Sequence, residues 1–296
     1  MTTANELTIM DKIIEHMMFG IYFDLTRYLT AAGVLFVLLL VFKRWADNRR
    51  IQERRAKAKD YTREFLSSIR TVFFFAVTTI STLMLREAGI IELRLEEFSA
   101  GLLALQVAAM ILAHDAYFYW LHRTMHHPRL FRSMHLHHHK SRTPTPWTAY
   151  SFSVWEAILE AAYVPLFLLA TSMMGIAYAG MAVLFFIWIQ IVRNVMQHAG
   201  VELHPAGWVD SKWTDWISTT THHDLHHSTG TYNFGFYFTF WDRLMGTEHP
   251  DYKAEFRKAA KPIVITRRFA EQTSVILLTL LAVGTTLGGG TSLMFA

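Results

Sequence analysis

Histidine carries the chemistry of this chain. Fifteen of its sixteen histidines lie between His114 and His249, and most fall in three tight runs. The first holds His122 and His126, the second His135, His138 and His139, and the third His223, His226 and His227. Neutral imidazole is the commonest biological ligand for transition metals. A zinc or mononuclear iron site uses three or four protein ligands, and these runs offer more than one such site can use. The count points to two metal ions side by side.

Helical spacing makes the runs concrete. His122 and His126 are four residues apart, so they share a helix face and can bind one ion or bridge two. Asp115 and Tyr119 precede His122 on that face, and Asp115 is a candidate acceptor for an imidazole N–H, a contact that fixes tautomer and ring orientation. His114 lies near the same face, as a ligand or as a packed core residue. The second and third runs share the pattern H-x-x-H-H, whose positions i, i+3 and i+4 converge on one side of a helix and let three imidazoles grip a metal pair. Asp224, inside the third run, is a further candidate for orienting a ring. His127, His137 and His222 read as extras, and His204 and His249 as weaker candidates. The uneven spacing argues against a polyhistidine storage tract.

Composition narrows the chemistry. The chain has 296 residues and no cysteine, so disulfides, thiolate metal sites and cysteine nucleophiles are excluded. A metal must then be held by His, Asp and Glu, which suits iron, manganese or zinc. H-E-x-x-H is absent, which argues against a zinc-dependent membrane hydrolase. There is no G-x-G-x-x-G fingerprint and no c-type haem motif. The net charge of +4 is unevenly placed, with a basic run from Lys43 to Lys59 directly after an apolar stretch. It reads as a loop at a membrane surface, on the cytoplasmic side by the positive-inside bias, and not as a nucleic-acid site.

The elements that must position the histidines are apolar. Hydrophobic residues make up 52% of the chain, and about 20 apolar residues span a bilayer as a helix. We expect spans at roughly 20–43, interrupted by Asp24 and Arg27, at 69–85 and at 101–121. The stretch 154–192, punctuated by Pro165 and Gly175, reads as a hairpin of two spans. Residues 273–287 form a further span or an interfacial helix. The expected fold is all-α, an integral membrane helical bundle with a cytoplasmic-side histidine-rich helical cap. Its parts are an N-terminal membrane hairpin with a basic loop (1–100), a catalytic histidine domain (101–250) and an apolar tail (251–296). The runs flank the spans beside arginines and lysines, whereas transporter ligands lie at mid-membrane; a metal transporter is therefore disfavoured.

These residues carry a family resemblance. The stretch from Asp115 to His126, the run His223 to His227, and the segments Tyr232 to Gly235 and Phe238 to Thr247 resemble the fatty acid hydroxylase/sterol desaturase superfamily, the membrane-bound histidine-box di-iron oxygenases. The resemblance covers about residues 100–250. It implies a further ligand after the apolar hairpin, His198, with Asn194 where some relatives carry another histidine, so that the asparagine oxygen or a water could fill that position. The implied ligand set is His122, His126, His135, His138, His139, His198, His223, His226 and His227. The implied cofactor is two iron ions, with zinc a substitute in a purified sample because it outcompetes Fe(II) for such ligands. The implied reaction is O2-dependent hydroxylation of an unactivated C–H bond of a membrane lipid, such as a fatty acyl, sphingolipid or sterol-like substrate; the alternative is desaturation at the same centre. Electrons would come from a separate ferredoxin- or cytochrome-type donor; Arg129, Arg132, Lys140 and Arg142 could dock it or could equally contact lipid headgroups. The expected location is a bacterial inner membrane, with the metal site facing the cytoplasm.

Overall fold

The computed structural model describes residues 8–94 and 99–262. Residues 95–98 and 263–296 lie outside the described residues, and with them the expected further span or interfacial helix at 273–287. Residues up to Lys261 form one compact unit, and its architecture is helical. Its long helices are α1 (Ile9–Val41), α3 (Ala58–Glu87), α4 (Ala100–Met125) and α9 (Gly180–Gln197), with the short α2 (Lys43–Asn48) after α1. α7 (Val154–Ala161) and α8 (Tyr163–Met173) run on from one another with a break at Ala162, ahead of Pro165. A two-stranded parallel pairing joins β1 (Leu93–Arg94) to β2 (Tyr178–Ala179).

Among the described residues five helical stretches are long and apolar enough to cross a membrane: Ile9–Val41, Ala58–Glu87, Ala100–Met125, Val154–Met173 and Gly180–Gln197. They match the expected spans, with longer ends. Their outward faces carry exposed Val34, Val37, Leu40, Leu105, Leu112 and Leu166. A continuous apolar exterior of this kind is stable against lipid and costly against water.

The bundle closes through small residues and buried polar contacts. α1 packs along α3 and α9. At the α1–α3 crossing a Cβ on Gly20 would sit 3.0 Å from Ala76 Cα, so glycine lets the two backbones approach, as small residues do between membrane helices. Tyr28 and Ser68 donate their hydroxyls to Trp147 O at 2.9 and 3.1 Å, and Thr145 donates to the buried Glu64 carboxylate at 2.5 Å. These bonds hold the turn Pro146–Tyr150, which positions Ser151 beside the histidines. Arg49 departs from the reading of the basic run as a surface loop. It is buried, and its guanidinium donates to the carbonyls of Glu202, His204 and Lys261.

Candidate metal centre

Short elements deliver the histidines. α4 ends at Met125, which leaves His122 in its last turn and His126 as its C-terminal cap. α5 (Pro128–Met134) starts at a proline, and α6 (Leu136–His139) has His135 at its N-terminal cap. α10 (Thr220–Thr229) is capped by Thr219, whose hydroxyl accepts the His222 N–H, and ends at Gly230 with φ 74°. Glycine enters that left-handed conformation at little cost, so the helix stops directly after its ligand-bearing turn. α11 (Phe240–Leu244) and α12 (Tyr252–Ala259) follow, and α12 packs against α10.

The structure brings the nine histidines of the expected set together in two groups. His122, His126, His135, His139 and His226 form one; His138, His198, His223 and His227 form the other. Within each group one ring nitrogen from each histidine lies within 4.8 Å of those of the others. Each H-x-x-H-H pattern is divided between the groups. His135 and His139 face the first and His138 the second; His226 faces the first and His223 and His227 the second.

The second group fits a metal ion on geometry. His198 Nε2 lies 3.2, 3.1 and 3.0 Å from the Nε2 atoms of His138, His227 and His223. A single ring nitrogen offers one N–H or one lone pair, so hydrogen bonds cannot satisfy three such neighbours at once. Tetrahedral nitrogens around an ion at 2.0–2.1 Å stand roughly 3.3–3.4 Å apart, close to these separations. In the first group, Nε2–Nε2 separations of 2.9 Å join His122 to His135 and His139 to His226. His126 Nε2 is buried without a hydrogen-bond partner among the described residues. A cation is the partner these donors are arranged to take.

The opposite ring nitrogens are held from behind. His122 Nδ1 is 2.9 Å from Phe234 O, His226 Nδ1 2.7 Å from Tyr232 O, and His198 Nδ1 2.7 Å from Asn194 O. A carbonyl at Nδ1 takes the N–H there and leaves Nε2 as the lone pair. The 232–242 loop is built for this task. Asp242 accepts the N–H groups of Phe234 and Gly235 at 2.8 and 2.7 Å and the Thr247 hydroxyl at 2.8 Å. A Cβ on Gly235 would meet Phe238 O at 2.5 Å, so only glycine permits the turn.

Burial keeps these imidazoles neutral, the form that binds metal. It pulls His198 down to about 4 and His139 down to about 3. His135, His138, His223, His226 and His227 are held well below their ordinary value, first by burial and then by neighbouring imidazoles.

Three expected helper roles differ from the structure. Asp115 accepts the backbone N–H groups of Tyr237 and Phe238 at 2.8 and 3.2 Å, not an imidazole N–H, because its face of α4 meets the 236–238 strand of loop. Asp224 accepts from Gln52 Nε2 at 2.7 Å, since its side of α10 faces the basic loop. The Asn194 side chain donates to Ala149 O at 2.8 Å, and only its carbonyl reaches His198. The remaining histidines stand outside both groups. His114 packs between Tyr163 and Phe186, and His137 pairs with Ser67. His127 caps α5, His204 pairs with Glu202, His222 lies 3.5 Å from Asp242 and His249 accepts the Asp251 N–H.

One orienting residue was not among the sequence candidates. Glu156 is buried, with Oε1 2.7 Å from His135 Nδ1, off the line of a straight hydrogen bond. Its other oxygen accepts the Ser153 N–H at 3.4 Å. The S-x-x-E capping box Ser153–Glu156 is a signal that sequence reading can find.

An apolar cavity of about 370 Å³ lies among α1, α3, α8 and α9 and reaches the outer surface at Phe19, Met181 and Leu184. A narrower space is lined by His122, His135, His138, His198 and His223. Glu160 and Gln190 line both, so the cavity and the histidines share one polar wall.

The fatty acid hydroxylase family model matches residues 107–247, the segment that holds all nine histidines. Over this segment the chain is similar to the fatty acid hydroxylase/sterol desaturase superfamily. It is 26% identical over 195 residues to the lathosterol oxidase of Rattus norvegicus, covering 64% of this chain and 62% of that protein. It is 28% identical over 182 residues to a Delta(7)-sterol 5(6)-desaturase of Gibberella zeae, covering 59% and 53%. It is 30% identical over 147 residues to the probable Delta(7)-sterol 5(6)-desaturase of Neurospora crassa, covering 49% and 39%. The chain thus matches less than two thirds of the length of these relatives. No solved structure gives a significant match.

Proposed function

We propose that this chain is a multi-pass membrane oxidoreductase that uses O2 and a pair of iron ions to introduce a double bond into a sterol-like lipid. The observation that carries the reading is the division of nine imidazoles, eight of them buried and His126 half-buried, into two groups beside an apolar cavity. His122, His126, His135, His139 and His226 would hold one ion, and His138, His198, His223 and His227 the other. Iron bound there supplies O2 activation and removal of hydrogen from an unactivated C–H bond.

The chain's own residues bind, orient and exclude water. Phe234, Tyr232 and Asn194 fix rings through their carbonyls, and Glu156 fixes His135. Phe118 and Phe152 wall the histidine space and keep it dry. Glu160 and Gln190 face the substrate carbon as it enters from the cavity. The relatives, a lathosterol oxidase and a Delta(7)-sterol 5(6)-desaturase, favour desaturation over the hydroxylation that the sequence first suggests; both outcomes begin by breaking the same kind of bond. O2 and electrons come from outside the chain, the electrons from a ferredoxin- or cytochrome-type donor.

The test is a comparison of sterols and other lipids from cells with and without the gene. Desaturation gives a product lighter by two hydrogens, and hydroxylation one heavier by an oxygen. An unchanged lipid profile, under oxygen and with a supplied reductant, would remove the proposal.

A further inference from the structure

The apolar cavity has a charged pair in its wall. Asp24 and Arg27 lie one turn apart within α1 and line the cavity without lining the histidine space. Both are more than nine-tenths buried, at 3% and 4% exposure. Charges at this depth in a membrane segment are expensive and mark function by default. The two form an ion pair, Arg27 Nη1 donates to Ile187 O at 2.8 Å, and the guanidinium lies 5.5 Å from the Phe23 ring and 5.9 Å from the Tyr150 ring. The pair engages Asp24 Oδ1 and one N–H on each Nη of Arg27, which leaves Asp24 Oδ2 and a second N–H on each Nη without a partner among the described residues. The pair therefore has hydrogen-bonding capacity that the chain does not use. Thr78 and Thr82 in the same wall spend their O–H on carbonyls of their own helix and keep only acceptor lone pairs, so they cannot donate to a substrate.

We propose that Asp24 and Arg27 anchor the hydroxyl of an otherwise apolar substrate lying in this cavity. The inference rests on the lipid reading above and deepens it. The cavity has two polar stations. Glu160 and Gln190, shared with the histidines, receive the reacting carbon; Asp24 and Arg27, apart from the histidines, receive the polar end. A hydroxyl suits the pair because it accepts from the guanidinium and donates to the carboxylate. A carboxylate headgroup does not, because it adds an unpaired charge beside a pair that is already neutral.

The test is equilibrium binding to the purified full chain in detergent, with three probes: cholestanol, its 3-methyl ether and the deoxygenated hydrocarbon cholestane. We expect cholestanol to bind at least about tenfold more tightly than cholestane, since a site built to bond a hydroxyl rejects the analogue that lacks it. The ether keeps the acceptor and loses the donor, and we expect it to fall between them. In the Asp24→Asn/Arg27→Met double variant the gap should shrink below about threefold, with metal content at the wild-type level as evidence of an intact fold. The comparison on the wild-type chain stands even where the variant does not fold. Equal, tight binding of cholestanol and cholestane by the wild type overturns the anchor and leaves the lipid reading standing, as does an undiminished gap in a folded variant. Binding of neither probe overturns the anchor and the sterol reading together.

Discussion

Glu156 places a carboxylate oxygen 2.7 Å from Nδ1 of His135, where both side chains are buried. The contact ties α7, a membrane helix, to the ring that meets His122 across the first group. Partners behind a metal-ligating histidine typically carry 10–100-fold in metal affinity or activity. We expect Glu156→Ala to weaken metal retention by about that factor, and Glu156→Gln, which keeps an acceptor and the helix cap, to recover much of the loss. Competition with a chelator measures it. Equal retention in wild type and Glu156→Ala would reduce the carboxylate to a packing role.

The two groups predict a metal stoichiometry. We expect about two ions per chain in protein prepared with iron supplied, and zinc in their place is compatible with the same donors. His226→Ala removes a donor from the first group and His138→Ala one from the second. Each should lower the metal content and abolish turnover. Elemental analysis showing fewer than about one ion in the wild type would contradict the paired centre, as would O2-dependent product formed by either variant.

Acid should destabilise the metal-free protein. In the unfolded chain histidines protonate near 6.5, whereas folded His198 does so only at about 4 and His139 at about 3. Between these values the unfolded state binds more protons, so stability rises with pH across the window and is lost as pH falls below about 6.5. Thermal unfolding of chelator-treated protein at several pH values reads this directly. A melting temperature that stays level from about pH 7 to pH 5 would mean that these rings take up protons in the folded state as readily as in the unfolded chain.

Orientation is open to labelling. The chain has no cysteine, so a single Arg54→Cys substitution puts one thiol in the exposed loop between α1 and α3. If that loop is cytoplasmic, as its basic charge implies, a membrane-impermeant thiol reagent should label it only after the cells are opened. Labelling in intact cells would reverse the topology.

Much of the site was legible in the sequence, and the reason is local. Spacing along one helix determines which side chains share a face, so His122 with His126 and the two H-x-x-H-H runs could be read directly. The long apolar runs gave the five membrane-length helices in the same way. What spacing does not encode is which distant segment arrives behind a ring. Asp115 shares a face with His122, yet it turns to the N–H groups of Tyr237 and Phe238. His135 lies more than a helix away from Glu156 in sequence, and only the folded bundle sets them together. Asn194 reaches His198 through its backbone, an atom every residue has, so its identity gave no clue.

The division of α6 and α10 between the two groups has a mechanical result. Each short helix carries rings for both groups, so neither can be ordered for one ion without being ordered for the other. The first ion to arrive meets the entropy of settling both helices, and the second finds them already in place. Loading would then be steeper than for two independent sites, and a half-filled chain would be scarce at every iron concentration.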